Sequence, residues 1–206
     1  MFPNFNESTL PMLAEGILDT LYMTLASTLI AYIIGLPLGV FLAATGKGGV
    51  RPLPLLNKAL GFIVNIVRSV PFLILIILLL PYTRLVAGTT IGPIGMIMPL
   101  SICAAPFVAR LVEASLTEVD RGIVEAAWSM GSSPMKILLK VLLPESRTSL
   151  LLGATITVVT VLGYSAMAGI LGGGGLGDIA IRFGYYRYQG DVMIVTVILL
   201  VIIVQA

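Results

Sequence analysis

Side chains capable of catalysis or metal binding are scarce in this sequence. It contains no histidine, the commonest general base and metal ligand, and its one cysteine, Cys103, lies in an apolar stretch. A single cysteine cannot form an internal disulfide, so we interpret Cys103 as a packing residue. We therefore expect a chain that is not an enzyme, with no catalytic residue, no metal site and no cofactor of its own.

A glycine run at residues 172–177, "GGGGLG", formally matches the G-x-G-x-x-G pattern of dinucleotide-binding sites. That fingerprint has to follow a strand and open a helix in a βαβ unit, whereas this run follows a long apolar segment. We predict a turn with tight backbone packing instead. The G-x-x-x-x-G-K-[ST] pattern that cradles phosphates does not occur in the sequence, so any ATP would have to be bound by another subunit.

The longest polar interruption is "VEAAWSMGSSPMKILLKVLLPESR", residues 124–147. Its first part predicts a short helix at about 120–131, with Asp120 as the N-cap and Gly131 as the C-terminal stop. Four residues recur with helical spacing and fall on one face of that helix: Val119, Ile123, Ala127 and Met130.

The second part of the interruption predicts another helix. Ser133 and Pro134 fit its cap and first residue, Lys136 and Lys140 lie one turn apart on one side, and Pro144 is expected to end it. On periodicity alone, the whole interruption fits an amphipathic loop that rests on the bilayer.

Apolar residues make up 58% of the 206 residues and charged residues only 11%, which indicates an integral membrane protein rather than a soluble domain. We predict one all-α domain over residues 1–206 with five transmembrane helices, at about 17–44, 60–81, 94–112, 149–171 and 191–206, the second of them interrupted at residues 68–71. The last segment is short for a span. We expect the native chain to continue by about 5 to 15 residues that include Lys or Arg.

The distribution of basic residues predicts the orientation. The N-terminal region has no Lys or Arg, so it does not resemble a cleaved signal, and we place it outside the cell with the C-terminus in the cytoplasm. Arg84, Arg182 and Arg187 are then outside. The cytoplasmic side holds most of the basic residues: Lys47, Arg51, Lys58, Arg121, Lys136, Lys140 and Arg147.

Three charged residues lie within or beside predicted spans. Arg68 either snorkels from a helix end or pairs with Glu113 or with a partner subunit, while Arg110 and Glu113 lie one turn apart and are interpreted as structural. No acidic residue lies near the middle of a predicted span, and we find no internal repeat. Both observations argue against an ion-coupled carrier.

One face of the fourth predicted span carries small and hydroxyl residues, namely Gly153, Thr157, Thr160 and Tyr164. Such a stripe most often packs against a neighbouring helix. The alternative hypothesis is a wall of a translocation path, with Tyr164, Ser165 and Met167 forming a constriction near its outer end.

The polar interruption resembles the EAA motif of permease subunits of bacterial ABC importers. Residues in register with "EAA---G---------[I/V]-LP" are Glu125, Ala126, Ala127, Gly131, Val141, Leu143 and Pro144. The segments "RSVPFLILIILLLP", "APFVARLVEASL" and "GYSAMAGILGGGGLGDIAIRFGYYRY" are similar to the permeases of bacterial D-/L-methionine importers. The resemblance covers the chain from the first predicted span to its end.

The resemblance implies the type I ABC importer permease fold in the bacterial inner membrane. It implies a homodimer, two copies of a cytoplasmic ATPase that binds ATP and Mg²⁺, and a periplasmic methionine-binding protein. The EAA segment would be the coupling helix that docks on the ATPase, and transport of D- and L-methionine would proceed by alternating access. Import of another small amino acid, or a structural subunit of a larger membrane complex, stays open on the residues alone. Co-purification with an ATPase distinguishes the importer from the structural subunit.

Overall fold

A computed structural model describes residues 8–205 of the chain, and every regular element in this range is a helix. The long helices are α1 Thr9–Thr45, α2 Pro54–Ser69, α3 Phe72–Ala87, α4 Gly92–Thr117, α8 Arg147–Ala168 and α10 Gly190–Gln205. The shorter ones are α5 Arg121–Ser129, α6 Pro134–Ile137, α7 Leu143–Glu145 and α9 Gly175–Ile179. Two π-helical turns, Leu138–Leu142 and Ala180–Tyr185, and a 3₁₀ turn, Gly169–Leu171, connect some of them.

Three helices in the described range are long and apolar enough to cross a membrane: α1, α4, and α8 with its 3₁₀ extension. They coincide with the first, third and fourth predicted spans, although α1 begins earlier and α4 ends later than predicted. The α2–α3 pair makes a fourth candidate only when the two helices are counted together. The last helix, α10, is apolar but has only 16 residues.

The second predicted span, at residues 60–81 with an interruption at residues 68–71, is divided between α2 and α3. The chain breaks after Ser69, where Val70 is extended at ψ 128° and Pro71 caps the next helix. Proline disfavours helical geometry in the residue before it and donates no hydrogen bond, so Pro71 separates α2 from α3. The earlier Pro37 lies within the unbroken helix α1.

The described residues form two compact units. The first contains the described parts of Met1–Leu29, Pro71–Cys103 and Val158–Ala206, and the second contains Ile30–Val70 and Ala104–Thr157. One core of the first unit is built by five fully buried side chains: Met23, Ile76, Met96, Leu100 and Ala168.

In the second unit, two glycines bring α1 and α4 close together. A Cβ on Gly35 would lie 2.7 Å from the Cβ of Val108, and one on Gly39 would lie 2.6 Å from the Cβ of Val112. Small residues four apart on a membrane helix let a second backbone approach closely. Residues 35–39, "GLPLG", are therefore a helix-packing surface of α1.

The glycine run packs against α1 within the first unit. The Thr20 hydroxyl accepts a hydrogen bond from the Leu176 N–H at 2.8 Å and donates one to the Gly16 carbonyl at 2.8 Å. Gly175 has φ 75°, and a Cβ there would lie 2.6 Å from Thr20 Oγ1. The tight turn predicted for this run is confirmed.

Candidate functional site

The short helix predicted at about 120–131 is present as α5, Arg121–Ser129. The Asp120 side chain caps it by accepting a hydrogen bond from the Gly122 N–H at 2.6 Å. At the other end, Gly131 adopts φ 75°, which a glycine reaches without steric penalty. The Gly131 N–H donates to the Trp128 carbonyl at 2.9 Å and the Ser132 N–H to the Ala127 carbonyl at 3.1 Å. This pair of bonds is a Schellman motif, so both predicted ends of the helix are confirmed.

The exposed surface of α5 includes the first part of the EAA motif. Glu125 and Ala126 are exposed, whereas Ala127 is only 3% exposed and packs within this chain. The predicted face is buried only at Ala127, because Ile123 is 39% exposed and Met130, beyond the last helical turn, is 78% exposed. Glu125 and Ala126 are therefore accessible to another protein, and Glu125 also borders a cavity of the second unit.

The segment after Gly131 differs from its prediction at Pro144. The helix starts at Ser133 and Pro134 as expected, but it continues through Pro144 to Glu145 instead of ending at the proline. A π turn at Leu138–Leu142 precedes Pro144, and the Leu143 N–H donates to the Leu138 carbonyl five residues back. A proline ring clashes with the carbonyl four residues earlier in an α-helix, and a π turn places that carbonyl differently.

Along this second helix, the outer and inner faces are clearly divided. Lys136, Lys140 and Pro144 are exposed, and Leu143 is half-buried. Ile137, Leu138 and Leu142 are buried in the described structure. The motif's Pro144 thus lies on the exposed side, whereas Leu143 belongs partly to the chain's own packing.

A cavity of about 450 Å³ lies between α5 and other elements of the second unit. Val124, Glu125 and Trp128 line it from α5, and Lys47, Asn57 and Glu113 are among the residues on its other walls. Ala127 is the one buried residue of α5. Helix α5 thus has one buried residue and borders this cavity.

Beside this cavity, Arg110 joins α4 to α2. It forms a salt bridge with Glu113 at 2.6 Å, and it also donates to the Gly61 carbonyl and to Asn65 Oδ1, both at 2.9 Å. The structural interpretation of Arg110 and Glu113 is confirmed. The alternative in which Arg68 pairs with Glu113 was wrong, because the Glu113 carboxylate forms its salt bridge with Arg110 instead.

The six candidate path residues of α8 do not share one environment. Gly153 and Thr157 are buried in the second unit, where the Thr157 hydroxyl donates to the Gly153 carbonyl at 2.7 Å and shares a hydrogen bond with the Tyr32 hydroxyl. This burial favours the helix-packing interpretation for Gly153 and Thr157.

The other four candidates, Thr160, Tyr164, Ser165 and Met167, lie in the first unit. Tyr164 is stacked on Phe72 with 4.0 Å between ring centroids. Ser165 is buried and accepts a hydrogen bond from Thr24 at 3.5 Å. Thr160 is half-buried and Met167 is exposed.

The exposed face of α8 was not predicted from the sequence. Val159, Gly163 and Met167 recur at four-residue spacing and are exposed, and nothing lies within 4 Å of a Cβ placed on Gly163. The four-residue spacing is visible in the sequence. Which face of α8 is exposed is decided by Tyr32 and Phe72, which contact Thr157 and Tyr164 on the hydroxyl face.

No group of three or more His, Cys, Asp or Glu side chains within residues 8–205 is placed to hold a metal ion. The site consists instead of an exposed helix, a sharp glycine turn and the membrane helices that adjoin them.

Comparison with known proteins gives consistent matches over nearly the whole chain. Residues 35–206 match the family described as "Binding-protein-dependent transport system inner membrane component". A probable D-methionine transport system permease protein of Vibrio cholerae is 52% identical over 91% of this chain and 83% of its own length. Its counterpart in Pasteurella multocida is 50% identical over 91% of this chain and 87% of its own length.

The fold also matches a solved structure. A chain of the MetNI methionine ABC transporter in an inward-facing conformation is 45% identical and superposes with a TM-score of 0.95. The match covers 98% of this chain and 93% of that one.

Proposed function

Because this chain belongs to the family of binding-protein-dependent transport system inner membrane components, we propose that it is the permease subunit of an ATP-driven importer of D- and L-methionine. The relatives at 52% and 50% identity are named as D-methionine permeases, which supports this substrate. The similarity to the methionine transporter structure supports the same assignment.

The observation that carries the coupling role is the exposure of Glu125 and Ala126 on a short helix with a fixed end. Asp120 and Gly131 define where α5 starts and stops, so the pair is presented in one geometry. The small Ala126 allows close approach of a partner, and Glu125 offers it a charge. A cytoplasmic ATPase dimer would bind here, one copy per permease chain, and would hold the ATP and Mg²⁺.

The permease itself has no catalytic role in this proposal. ATP binding would close the ATPase dimer and carry α5 with it. Because the second helix of the EAA segment leads directly into α8 at Arg147, a displacement of α5 would reach α8 first. Alternation between outward- and inward-facing states would follow, and hydrolysis would reset the cycle.

Two copies of this chain would form the path. The candidate spans of one chain are few for enclosing a zwitterion, whereas a two-fold dimer doubles them. Among the path candidates, Met167 lies on the exposed face of α8 together with Gly163, and Thr160, Tyr164 and Ser165 would support that wall from behind. Gly153 and Thr157 would position α8 by packing.

The orientation follows the positive-inside rule. With the N-terminus in the periplasm, α5 and its basic neighbours Arg121, Lys136 and Lys140 are cytoplasmic, on the side where an ATPase can reach them. The C-terminal end of α10 would then also be cytoplasmic, and the protein would be a multi-pass component of the bacterial inner membrane.

Co-purification tests the proposal. The chain, expressed with the ATPase encoded beside it, should bring that ATPase down as a complex of two copies of each. Its ATP hydrolysis should rise when a methionine-loaded binding protein is added. A chain that assembles with no ATPase would contradict the coupling role, and stimulation by a binding protein loaded with a different amino acid only would reassign the substrate.

A further inference from the structure

An exposed cluster of aromatic and basic side chains lies between α9 and α10. Tyr185, Tyr186 and Tyr188 are 64%, 66% and 90% exposed, and Arg187 is exposed between them. The rings of Tyr185 and Tyr186 meet edge to face with centroids 5.4 Å apart. We call residues 185–188 the tyrosine–arginine tip.

Backbone hydrogen bonds hold the tip in one conformation. The Tyr186 N–H donates to the Ile181 carbonyl at 2.9 Å, and the Gln189 N–H donates to the Phe183 carbonyl at 3.2 Å. The first bond closes a π turn before the tip and the second closes the loop that follows it. The four side chains are thus presented on a built turn.

Two further features fix this turn. Gly184 lies so close to α10 that a Cβ there would be 2.6 Å from the Cβ of Met193. Tyr188 adopts φ 58°, a left-handed conformation that is rare for a bulky residue. Such a residue persists only where its surroundings enforce it, and these residues cluster at binding sites. A preorganised surface loses less conformational entropy when it binds a partner.

A small cavity of about 150 Å³ lies beside the tip. Phe183, Arg187 and Gln189 line one part of it, and the rest is lined by residues 8, 9 and 12 at or just before the start of α1 and by Val192 of α10. Arg187 is the one charged side chain among the described residues that border this cavity. Its guanidinium carbon lies 4.6 Å from the centroid of the Phe183 ring.

The charge of Arg187 is unpaired within the described chain. Its neighbour Arg182 also contacts the Phe183 ring but forms a salt bridge with Asp178 at 2.6 Å. Arg187 forms no ion pair with any residue of the range 8–205. An unpaired guanidinium at the edge of a cavity can accept a carboxylate in a bidentate geometry.

From this arrangement we infer that the tyrosine–arginine tip is the docking surface for the periplasmic binding protein. A carboxylate side chain of the binding protein enters the cavity beside Arg187, and its surrounding surface covers Tyr186 and Tyr188. Tyrosine and arginine are the residue types that most often dominate binding energy at protein interfaces. The inference rests on the proposed function, because the binding protein belongs to the importer.

A role of these tyrosines as lipid anchors is the alternative that the test has to separate. Tyr188 precedes Asp191, which lies in the first turn of α10. An ionised aspartate is costly inside the hydrocarbon, so Asp191 marks the outer limit of the apolar part of α10. Tyr188 lies beyond that limit, where both an interfacial tyrosine and a soluble partner can be reached.

The experiment uses the purified permease–ATPase complex in detergent, where no bilayer is present to anchor. The readouts are the affinity of the methionine-binding protein for the complex and the concentration that gives half-maximal ATPase stimulation. Variants Tyr188→Ala and Arg187→Gln are compared with Tyr22→Ala, a control tyrosine that is 53% exposed on α1. Both tip variants should raise the half-maximal concentration by about tenfold or more, as expected for dominant interface residues. The control should leave it unchanged, and ATPase activity without binding protein should stay the same in all three.

Unchanged affinity in both tip variants, in a complex that the binding protein still stimulates, would overturn the docking surface and leave the proposed function standing. Loss of membrane reconstitution with normal affinity in detergent would likewise overturn it, in favour of a lipid anchor. A wild-type complex that no binding protein stimulates would contradict the proposed function itself.

Discussion

Gly131 closes helix α5 by donating its N–H to the Trp128 carbonyl at 2.9 Å while its backbone adopts φ 75°. A residue other than glycine is strained at this angle, and proline can neither adopt it nor donate the hydrogen bond. The position of the following helix relative to α5 therefore depends on this single residue.

Two substitutions in α5 and its turn should uncouple the transporter. We expect Gly131→Pro to abolish uptake by displacing the turn, and Glu125→Lys to abolish it by reversing the charge offered to the ATPase. Both proteins should still insert in the membrane, because neither change touches a spanning helix. Uptake and ATPase co-purification are the measurements, with Glu118→Lys as the control at an exposed glutamate outside the motif. Wild-type transport in either variant would show that the docking assignment is wrong.

The exposed face of α8 should be sensitive to bulk. Gly163→Trp meets open space within the chain, so the protein should fold, yet the indole would fill the proposed path between two copies. We expect uptake to be lost, and Thr160→Trp to block it as well by displacing the wall. Ile194→Trp is the control, because Ile194 is an exposed apolar residue of α10. Normal uptake by Gly163→Trp in a correctly assembled dimer would exclude this face from the path.

The glycine turn should tolerate no added methyl group where it touches its neighbours. A Cβ on Gly177 would overlap the Ala166 carbonyl oxygen, whereas a Cβ on Gly190 has no neighbour within 4 Å. Gly177→Ala should lower stability by about 1–3 kcal/mol, as overpacking usually does, and Gly190→Ala should have little effect. Thermal unfolding of the detergent-solubilised protein measures the difference. Equal melting temperatures for the two variants would contradict tight packing of the turn.

Topology can be read with single cysteines in a Cys103→Ser background. Positions 84 and 187 should react with an impermeant thiol reagent in intact cells, and positions 47 and 136 only after the membrane is opened. The reason is the excess of basic residues on the side of α5. Labelling of position 47 or 136 from outside would reverse the orientation and place α5 away from the cytoplasm.

Local signals in the sequence were sufficient for the ends of α5. The Asp120 cap and the Gly131 turn are set by residues within a few positions of each other, and both were predicted correctly. The candidate membrane spans α1, α4 and α8 could be predicted because each segment is long and apolar.

Features that depend on distant residues were not predictable. Glu113 could pair with Arg68 or with Arg110, and the choice depends on how α2 packs on α4 through Gly61 and Asn65. The effect of a proline was equally ambiguous. Pro37 sits inside an unbroken helix, Pro71 separates two helices and Pro144 follows a π turn, although each occurs in an apolar stretch.

The most direct test of the central claim is uptake of radiolabelled methionine into vesicles that hold the permease–ATPase complex, with the binding protein on the periplasmic side. We expect accumulation that requires ATP on the cytoplasmic side and that stops when the ATPase subunit is inactivated. Absence of ATP-dependent methionine uptake in an assembled complex that hydrolyses ATP would contradict the account.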